Sequence, residues 1–212
     1  MGGVLITVEG VEGSGKTTQC RLLAGWLRGQ GHRLRETSEP DGSPIGAAIR
    51  AIFEQDRLAL TPLTEALLFM AARQQHVAQV ITPALAVGEI VVSDRYADAT
   101  LAYQGYGRGL DLQTIRELNA LATGGVLPDL TLLLDLDPGL GLERLGGRAR
   151  DAFEKLDLAF HRRVRQGYLE LAREEKNRIV VLDGGRPVDR LQGEIREAVG
   201  DLLRQRGFAH AV

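Results

Sequence analysis

The sequence predicts an α/β fold in which a five-stranded parallel sheet has helices on both faces. Three observations support this prediction: short β-branched apolar runs alternate with stretches of helical spacing, these runs are continuous in their apolar character, and a glycine-rich loop follows the first of them. Continuous apolar runs indicate strands that are buried on both faces, and strands that alternate with helices form parallel sheets with right-handed crossovers.

Each element is expected from its own pattern. Strands are predicted at Val4–Val8, Ile90–Ser93, Leu130–Leu136 and Ile179–Leu182, with a weaker one at Arg33–Thr37. Helices are predicted at Lys16–Arg28, Pro44–Gln55, Leu63–Val87, Leu112–Ala122, Pro138–Leu145, Glu154–Glu174 and Pro187–Arg206. Ligands of parallel sheets bind beyond the carboxyl ends of the strands. The loops that follow the strands are therefore where functional residues are expected.

Composition narrows the class of protein. The 212 residues, 44% hydrophobic and 25% charged, predict a single domain that spans 1–212. The formal charge of −2 offers no strong basic field for nucleic acid, and no run approaches the length of a membrane span. The single Cys20 excludes a disulfide framework, and the four histidines lack metal-like spacing. We expect a cytoplasmic protein with no nucleic-acid or membrane partner.

The strongest motif is a phosphate-binding loop. It reads Gly10-Val11-Glu12-Gly13-Ser14-Gly15-Lys16-Thr17, followed by Thr18, and fits G-x-x-x-x-G-K-[ST]. Backbone N–H groups of such a loop surround phosphate oxygens, Lys16 reaches the β- and γ-phosphates, and the Thr17 hydroxyl binds Mg²⁺. A glycine-rich turn that fits by chance is the alternative. The strand before the loop, the helix after it and a lysine in a chain with only three lysines favour phosphate binding over a chance match.

A second candidate site lies at the end of the strand Ile90–Ser93. Asp94 follows this strand, where a carboxylate suits the coordination of Mg²⁺, and Arg95 suits the phosphate of an acceptor. The alternative for this dipeptide is an ordinary ion pair at the surface, which would carry little meaning.

Several stretches together give a family resemblance. Glu9–Thr18, Asp94-Arg95-Tyr96, and the run from Ala102-Tyr103-Gln104-Gly105 to Gly107-Arg108-Gly109 resemble the bacterial thymidylate kinases, as do Pro128–Thr131 and Gly167–Ala172. The resemblance spans nearly the whole chain. It implies a P-loop nucleoside monophosphate kinase fold with a short lid, a homodimer, and direct in-line transfer of a phosphoryl group from ATP to dTMP with Mg²⁺.

The resemblance also implies roles for individual residues. Phe69 would stack on thymine and Arg73, four residues later on the same helix face, would bond its edge. The alternative for Phe69 is an ordinary core residue. Tyr103 would pack at the sugar. The other implied positions are Arg95 at the dTMP phosphate, Thr100 and Gln104 along the base, Glu12 at the sugar or Mg²⁺, Glu39 and Pro40 near the acceptor phosphate, and Asp94 and Thr17 around Mg²⁺.

A lid is expected at about 146–153, where the chain reads Gly-Gly-Arg-Ala-Arg-Asp. Arg148 and Arg150 are the candidates for stabilising charge on the moving phosphoryl group, with Arg144 nearby, although a solvated basic turn is the alternative. Arg186, in the loop after the last strand, is expected near ATP. The chain departs from the family pattern at Ser38, Asp41 and Ala152.

Two rival functions remain open from the sequence. A different small P-loop kinase would share the phosphate loop but not the run around Tyr103, and a panel of acceptors would distinguish it. A catalytically silent ATP-binding regulator could use the same fold, and measurable turnover would exclude it.

Overall fold

Five parallel strands form one sheet in the computed structural model, which describes residues 2–55, 59–146 and 153–208. Their bounds are Val4–Glu9 (β1), Leu34–Ser38 (β2), Ile90–Asp94 (β3), Leu130–Asp135 (β4) and Ile179–Asp183 (β5), and they lie in the order β2-β3-β1-β4-β5. The inner strands β1, β3 and β4 are buried on both faces, which explains their continuous apolar sequences. The partly exposed β2 is an edge strand, hence its weaker signal. The predicted five-stranded parallel sheet is confirmed.

Helices cover both faces of the sheet. The described helices are α1 (Lys16–Gly29), α2 (Pro44–Phe53), α3 (Pro62–His76), α4 (Thr82–Ala86), α5 (Ala97–Thr100), α6 (Leu112–Thr123), α7 (Pro138–Arg144), α8 (Leu158–Glu174) and α9 (Val188–Gln205), with π-helical segments at Val77–Ile81 and Leu101–Gly107. Ile6 packs in one cluster with Leu27 and Ile195, whereas Leu133 packs on the opposite face with Phe160. None of these helices has the length and apolar character that crossing a membrane requires.

The predicted helix Leu63–Val87 is divided in the structure. It consists of α3, a π-helical segment at Val77–Ile81, and α4. Pro83 lies in the first turn of α4 and has no N–H to donate to the carbonyl four residues earlier. The wider π turn before this proline accommodates the missing bond, a local change that hydrophobic spacing does not reveal.

Two further differences from the prediction exceed one or two residues. Helix α8 begins at Leu158, four residues later than expected, because the Asp157 carboxylate caps it by accepting from the Phe160 N–H at 2.6 Å. The stretch 97–107, for which no helix was predicted, forms α5 and a π-helical segment. In this segment the Arg108 N–H donates to the Tyr103 carbonyl five residues earlier at 2.9 Å.

The topology places the two motifs side by side. Val8 of β1 is in register with Asp94 of β3, and the Arg95 N–H donates to the Val8 carbonyl at 3.0 Å. The loop that follows β1 and the residues that follow β3 therefore share one edge of the sheet. This is the edge at which ligands of parallel sheets bind.

Candidate active site

The loop between β1 and α1 has the backbone that phosphate binding requires. Gly13 has φ 71°, and a Cβ there would lie 2.0 Å from the Gly141 carbonyl oxygen, so only glycine fits. The buried Ser14 hydroxyl forms no hydrogen bond within the described residues. A buried polar group without a partner, next to the N-terminus of α1, suits an anionic ligand that supplies the missing bond.

Lys16 is buried at the start of α1, where its Nζ donates to the Val11 carbonyl at 2.9 Å. Burial, aided by the nearby charge of Arg95, lowers the pKa of Lys16. A bound polyphosphate would offset both effects, because it brings negative charge and hydrogen-bond acceptors to the ammonium group.

Thr17 and Asp94 meet at the position predicted for Mg²⁺. The Thr17 Oγ1 donates to Asp94 Oδ2 at 2.6 Å, so a hydroxyl from α1 and a carboxylate from β3 are adjacent. Within the described parts of the chain no cluster of three or more His, Cys, Asp or Glu could hold a metal. Mg²⁺ needs no such cluster, because it retains water and binds through one or two carboxylates and substrate phosphates. The two oxygen donors therefore fit Mg²⁺.

Arg95 and Glu12 form an ion pair beside the loop. Arg95 Nη2 donates to Glu12 Oε1 at 2.6 Å, and the Tyr103 hydroxyl donates to the same oxygen at 2.8 Å. Burial works to raise the pKa of Glu12, but the charges of Arg95 and Lys16 and the hydrogen bonds to the carboxylate outweigh burial and lower the pKa to about 2. Glu12 is thus an anion that holds Arg95 over the Tyr103 ring, 4.9 Å from its centroid.

Glu9 fixes the backbone next to Arg95. Arg95 has φ 71°, the one positive φ among the described non-glycine residues. Glu9 Oε1 accepts from the Tyr96 N–H at 2.7 Å, and Oε2 bonds the Tyr168 hydroxyl at 2.7 Å. Burial, followed by the charge of Asp98, raises the pKa of Glu9 to about 8. Glu9 therefore helps to fix the strained conformation that directs Arg95 into the site.

Arg73 lies in a buried network of hydrogen bonds. Its Nε and Nη2 donate to Glu39 Oε2 at 2.9 and 2.6 Å, and Nη2 also donates to the Tyr96 carbonyl at 3.0 Å. Its Nη1 donates to Thr100 Oγ1 and to Asn119 Oδ1, both at 2.9 Å. These five bonds to oxygen account for all five N–H donors of the guanidinium, and Nη1 also lies 3.6 Å from the Met70 sulfur. A base edge can bond Arg73 only by replacing one of these partners.

Glu39 is fixed on its other side by His76. His76 is fully buried at the end of α3, where its Nδ1 lies 3.2 Å from Glu39 Oε1 and its Nε2 lies 2.7 Å from Thr37 Oγ1. The Glu39–Pro40 peptide bond is cis. His76, for which no role was expected, therefore positions the carboxylate that pairs with Arg73.

Aromatic rings surround the position predicted for thymine. Phe69 stacks on Phe53 with ring centroids 4.5 Å apart and an angle of 20° between the planes. Phe153 contacts both rings at 5.8 and 5.9 Å, and Tyr103 at 6.1 Å. Phe69 thus belongs to an aromatic cluster in which the Phe53 ring is stacked against it, and its contact with thymine stays a prediction.

A single cavity of about 840 Å³ joins these groups. The predicted site residues that line it are Glu12, Gly13, Gly15, Lys16, Thr17, Thr18, Glu39, Pro40, Phe69, Arg73, Asp94, Arg95, Thr100, Tyr103, Gln104 and Arg144. Gly10, Val11 and Ser14 belong to the same loop but are not among the residues that line the cavity. The volume is that of a ligand site, and the lining brings the phosphate loop together with the residues predicted for the acceptor.

The arginines expected around ATP have different positions. Arg144, on α7, donates to the Gly184 carbonyl at 2.8 Å and connects the phosphate loop with the loop after β5. Arg186 pairs instead with Glu194 and Asp183 and is not among the residues lining the cavity. Arg148 and Arg150 lie outside the described residues, as does Ala152, so the lid arginine stays a prediction.

Some of the residues that line the cavity were not expected from the sequence, and two of them lie on α2. Phe53 and Arg50, both on α2, face the same cavity. Arg50 lies 3.6 Å from Asp41, and Ser38 donates to Asp41 at 3.0 Å. The family departures at Ser38 and Asp41 thus bond each other and lie next to a cation. Helical spacing predicts that Arg50 lies on a helix, but it does not indicate that this side chain faces the cavity.

The class of protein follows from three features: a parallel sheet, a phosphate loop at a helix N-terminus, and a second cationic group in the same cavity. These features define a P-loop kinase that acts on a phosphorylated acceptor. The family model for thymidylate kinase matches residues 8–195. The chain is 51% identical over 200 residues to thymidylate kinase of Deinococcus radiodurans, covering 94% of this chain and 97% of the relative. It is 49% identical over 205 residues to thymidylate kinase of Geotalea uraniireducens, with 93% and 96% covered.

A solved structure agrees with these relatives. The crystal structure of thymidylate kinase from Ehrlichia chaffeensis matches with a TM-score of 0.78 and 32% identity, covering 94% of this chain and 99% of that one. The chain belongs to the thymidylate kinase family. The family, the fold and the ATP-dependent phosphorylation of dTMP to dTDP that were expected from the sequence are thereby confirmed.

Proposed function

We propose that this cavity carries out the transfer of the γ-phosphoryl group of ATP to the phosphate of dTMP with the residues described above in defined roles. The observation that carries the proposal is the adjacency of two cationic groups: Lys16 on the phosphate loop and Arg95 at the acceptor side line the same cavity. Each would hold one of two phosphate groups that must meet in line. Thr17 and Asp94, which directly follow Lys16 and directly precede Arg95, bring their side-chain oxygens together at the same edge of the sheet.

The donor side works by positioning and charge. The loop N–H groups and Lys16 would hold the β- and γ-phosphates, with the Ser14 hydroxyl as a further donor. Thr17 and Asp94 would hold Mg²⁺, which when bound neutralises charge on the phosphate oxygens. Arg144 would reach the phosphates from α7, and Arg186 stays a prediction for the adenine side. No covalent intermediate on the protein is required, because the acceptor phosphate oxygen is itself the nucleophile.

The acceptor side would bind dTMP through Arg95 at its phosphate and Phe69 at its base. Glu12 supports Arg95 by charge, and Tyr103 would pack at the sugar. Two partners of Arg73, Thr100 and Glu39, also line the cavity. Arg73 would bond the thymine edge after giving up its bond to the Thr100 hydroxyl. Phe53 would have to separate from Phe69 for a base to stack there.

The oligomeric state and the cellular location are further parts of this proposal. A homodimer is supported by exposed apolar side chains. On α3, Leu63 and Leu67 are each 48% exposed, and Leu121 near the end of α6 is 79% exposed. Light scattering of the purified chain would test it. Action in the cytoplasm, as one domain with a lid at about 146–153, is consistent with the use of ATP and dTMP.

Transfer of label tests the proposal directly. In a mixture of γ-labelled ATP, dTMP and Mg²⁺, the label should appear in dTDP. When the metal is chelated before the reaction starts, no labelled dTDP should form. Label released as inorganic phosphate at the same rate with and without dTMP would contradict the proposal, because it would mean that water, not dTMP, is the acceptor.

A further inference from the structure

Glu65, on α3, is a buried carboxylate behind the cavity wall. It is 4% exposed, and Gln104, which does line the cavity, donates from Nε2 to Glu65 Oε1 at 2.8 Å. Arg108 makes a two-pronged ion pair with the same carboxylate, with Nε at 3.1 Å from Oε1 and Nη2 at 2.8 Å from Oε2. Glu65 thus contacts a residue of the site without touching the cavity itself.

This contact determines which end of the Gln104 amide faces the cavity. An ionised carboxylate only accepts hydrogen bonds, so the amide must turn its NH₂ group to Glu65 and its carbonyl oxygen the other way. Gln104 is 1% exposed, so water cannot compensate for the opposite orientation, in which two oxygens would face each other. Within the described part of the chain, Oε1 of Gln104 accepts no hydrogen bond.

We infer that Glu65 is a positioning residue for base specificity: by holding the Gln104 amide with its oxygen toward the base, it selects a pyrimidine that carries an N3–H. Thymine and uracil present a donor at N3, between two carbonyl oxygens, whereas cytosine presents an acceptor there. An amide oxygen facing N3 bonds the first two and repels the third. The inference rests on the proposed placement of Gln104 along the base.

A merely structural role for Glu65 makes a different prediction. Arg108 also lies over the Phe160 ring at 5.1 Å, so the ion pair could simply fix the π-helical segment to α3. In that case removal of Glu65 would weaken the binding of all three nucleotides alike. If Glu65 orients Gln104, removal affects the choice between dTMP and dCMP but leaves the choice between dTMP and dUMP unchanged, because those two differ only at C5.

The test compares the dissociation constants of dTMP, dUMP and dCMP, measured by direct titration of each nucleotide into the protein. Glu65→Leu removes every acceptor from Gln104, and the ratio of the dCMP to the dTMP constant should fall about tenfold, the value of about one neutral hydrogen bond. Glu65→Gln keeps one oxygen that Arg108 and Gln104 share, and the ratio should fall about threefold. If the leucine variant does not fold, the glutamine variant decides the question.

Two comparisons complete the design. On a Gln104→Leu background, Glu65→Gln should cause no further change in the ratio, since its effect passes through Gln104. The matched surface control is Glu170→Leu on α8, because Glu170 also accepts from a glutamine and an arginine, Gln166 at 2.5 Å and Arg173 at 2.6 Å. Wild-type ratios in Glu65→Gln, or an equal change on the Gln104→Leu background, would overturn the inference. Failure of the wild type to bind dTMP would instead overturn the proposed function.

Discussion

Glu39→Gln should destabilise the protein strongly, although it changes one atom. The substitution removes the charge that faces the buried guanidinium of Arg73, with side chains that are 4% and 2% exposed. Removal of one partner of a buried ion pair costs about 3–5 kcal/mol, because the other charge stays buried. Arg73 keeps its bonds to Thr100, Asn119 and the Tyr96 carbonyl, so we expect the lower end, about 3 kcal/mol.

Thermal unfolding measures this cost. For a chain of this size about 1 kcal/mol corresponds to about 2–4 °C, so Tm should fall by about 6–12 °C. The matched control is Glu36→Gln, which removes the same charge from a pair with Arg28 at the surface, where the side chains are 35% and 54% exposed. The control should cost less than about 1 kcal/mol. Equal shifts in the two variants would refute the reasoning that burial of Arg73 sets the magnitude.

Three other predictions follow from the site. Lys16→Met should lower turnover by about two to three orders of magnitude with little change in Tm, and near-normal turnover would contradict the role of the phosphate loop. Tyr103→Phe removes a 2.8 Å hydrogen bond to the ionised Glu12, and kcat/KM for dTMP should fall about tenfold; an unchanged value would contradict the support that Glu12 gives to Arg95. Glu9→Gln should flatten the dependence of stability on pH. The folded Glu9 carboxyl, with its pKa near 8, keeps a proton that the unfolded chain releases above its ordinary value of 4.5, so this group makes wild-type stability fall as pH rises between these values. Urea unfolding at pH 5 and pH 8 checks this, and parallel behaviour of the two proteins would contradict it.

The sheet and the phosphate loop could be predicted because their signals are local. Each inner strand is a contiguous run buried on both faces, and the loop carries its chemistry in eight consecutive residues. Asp94 could be placed near the loop because it ends a strand, and strand ends of a parallel sheet share an edge.

The support of the site could not be predicted, because it joins distant segments. Glu39 follows β2, while its partners Arg73 and His76 lie on α3, more than thirty residues later. In the sequence, a histidine that positions a carboxylate cannot be distinguished from a buried histidine without a function. The π-helical segment that holds Gln104 has the composition of a loop, with Gly105 and Gly107 inside it, and hydrophobic spacing does not distinguish a π turn from an α turn.

The choice of acceptor tests the account most directly. Release of ADP is coupled to an optical readout with Mg·ATP and, in parallel, dTMP, dUMP, dCMP, dAMP, dGMP and thymidine. We expect dTMP to give the highest kcat/KM, because the proposed role of Arg95 requires a phosphate on the acceptor and the proposed roles of Phe69 and Gln104 require thymine. A higher value for thymidine or for another monophosphate would contradict the assignment of the acceptor pocket, while leaving the phosphate loop in place.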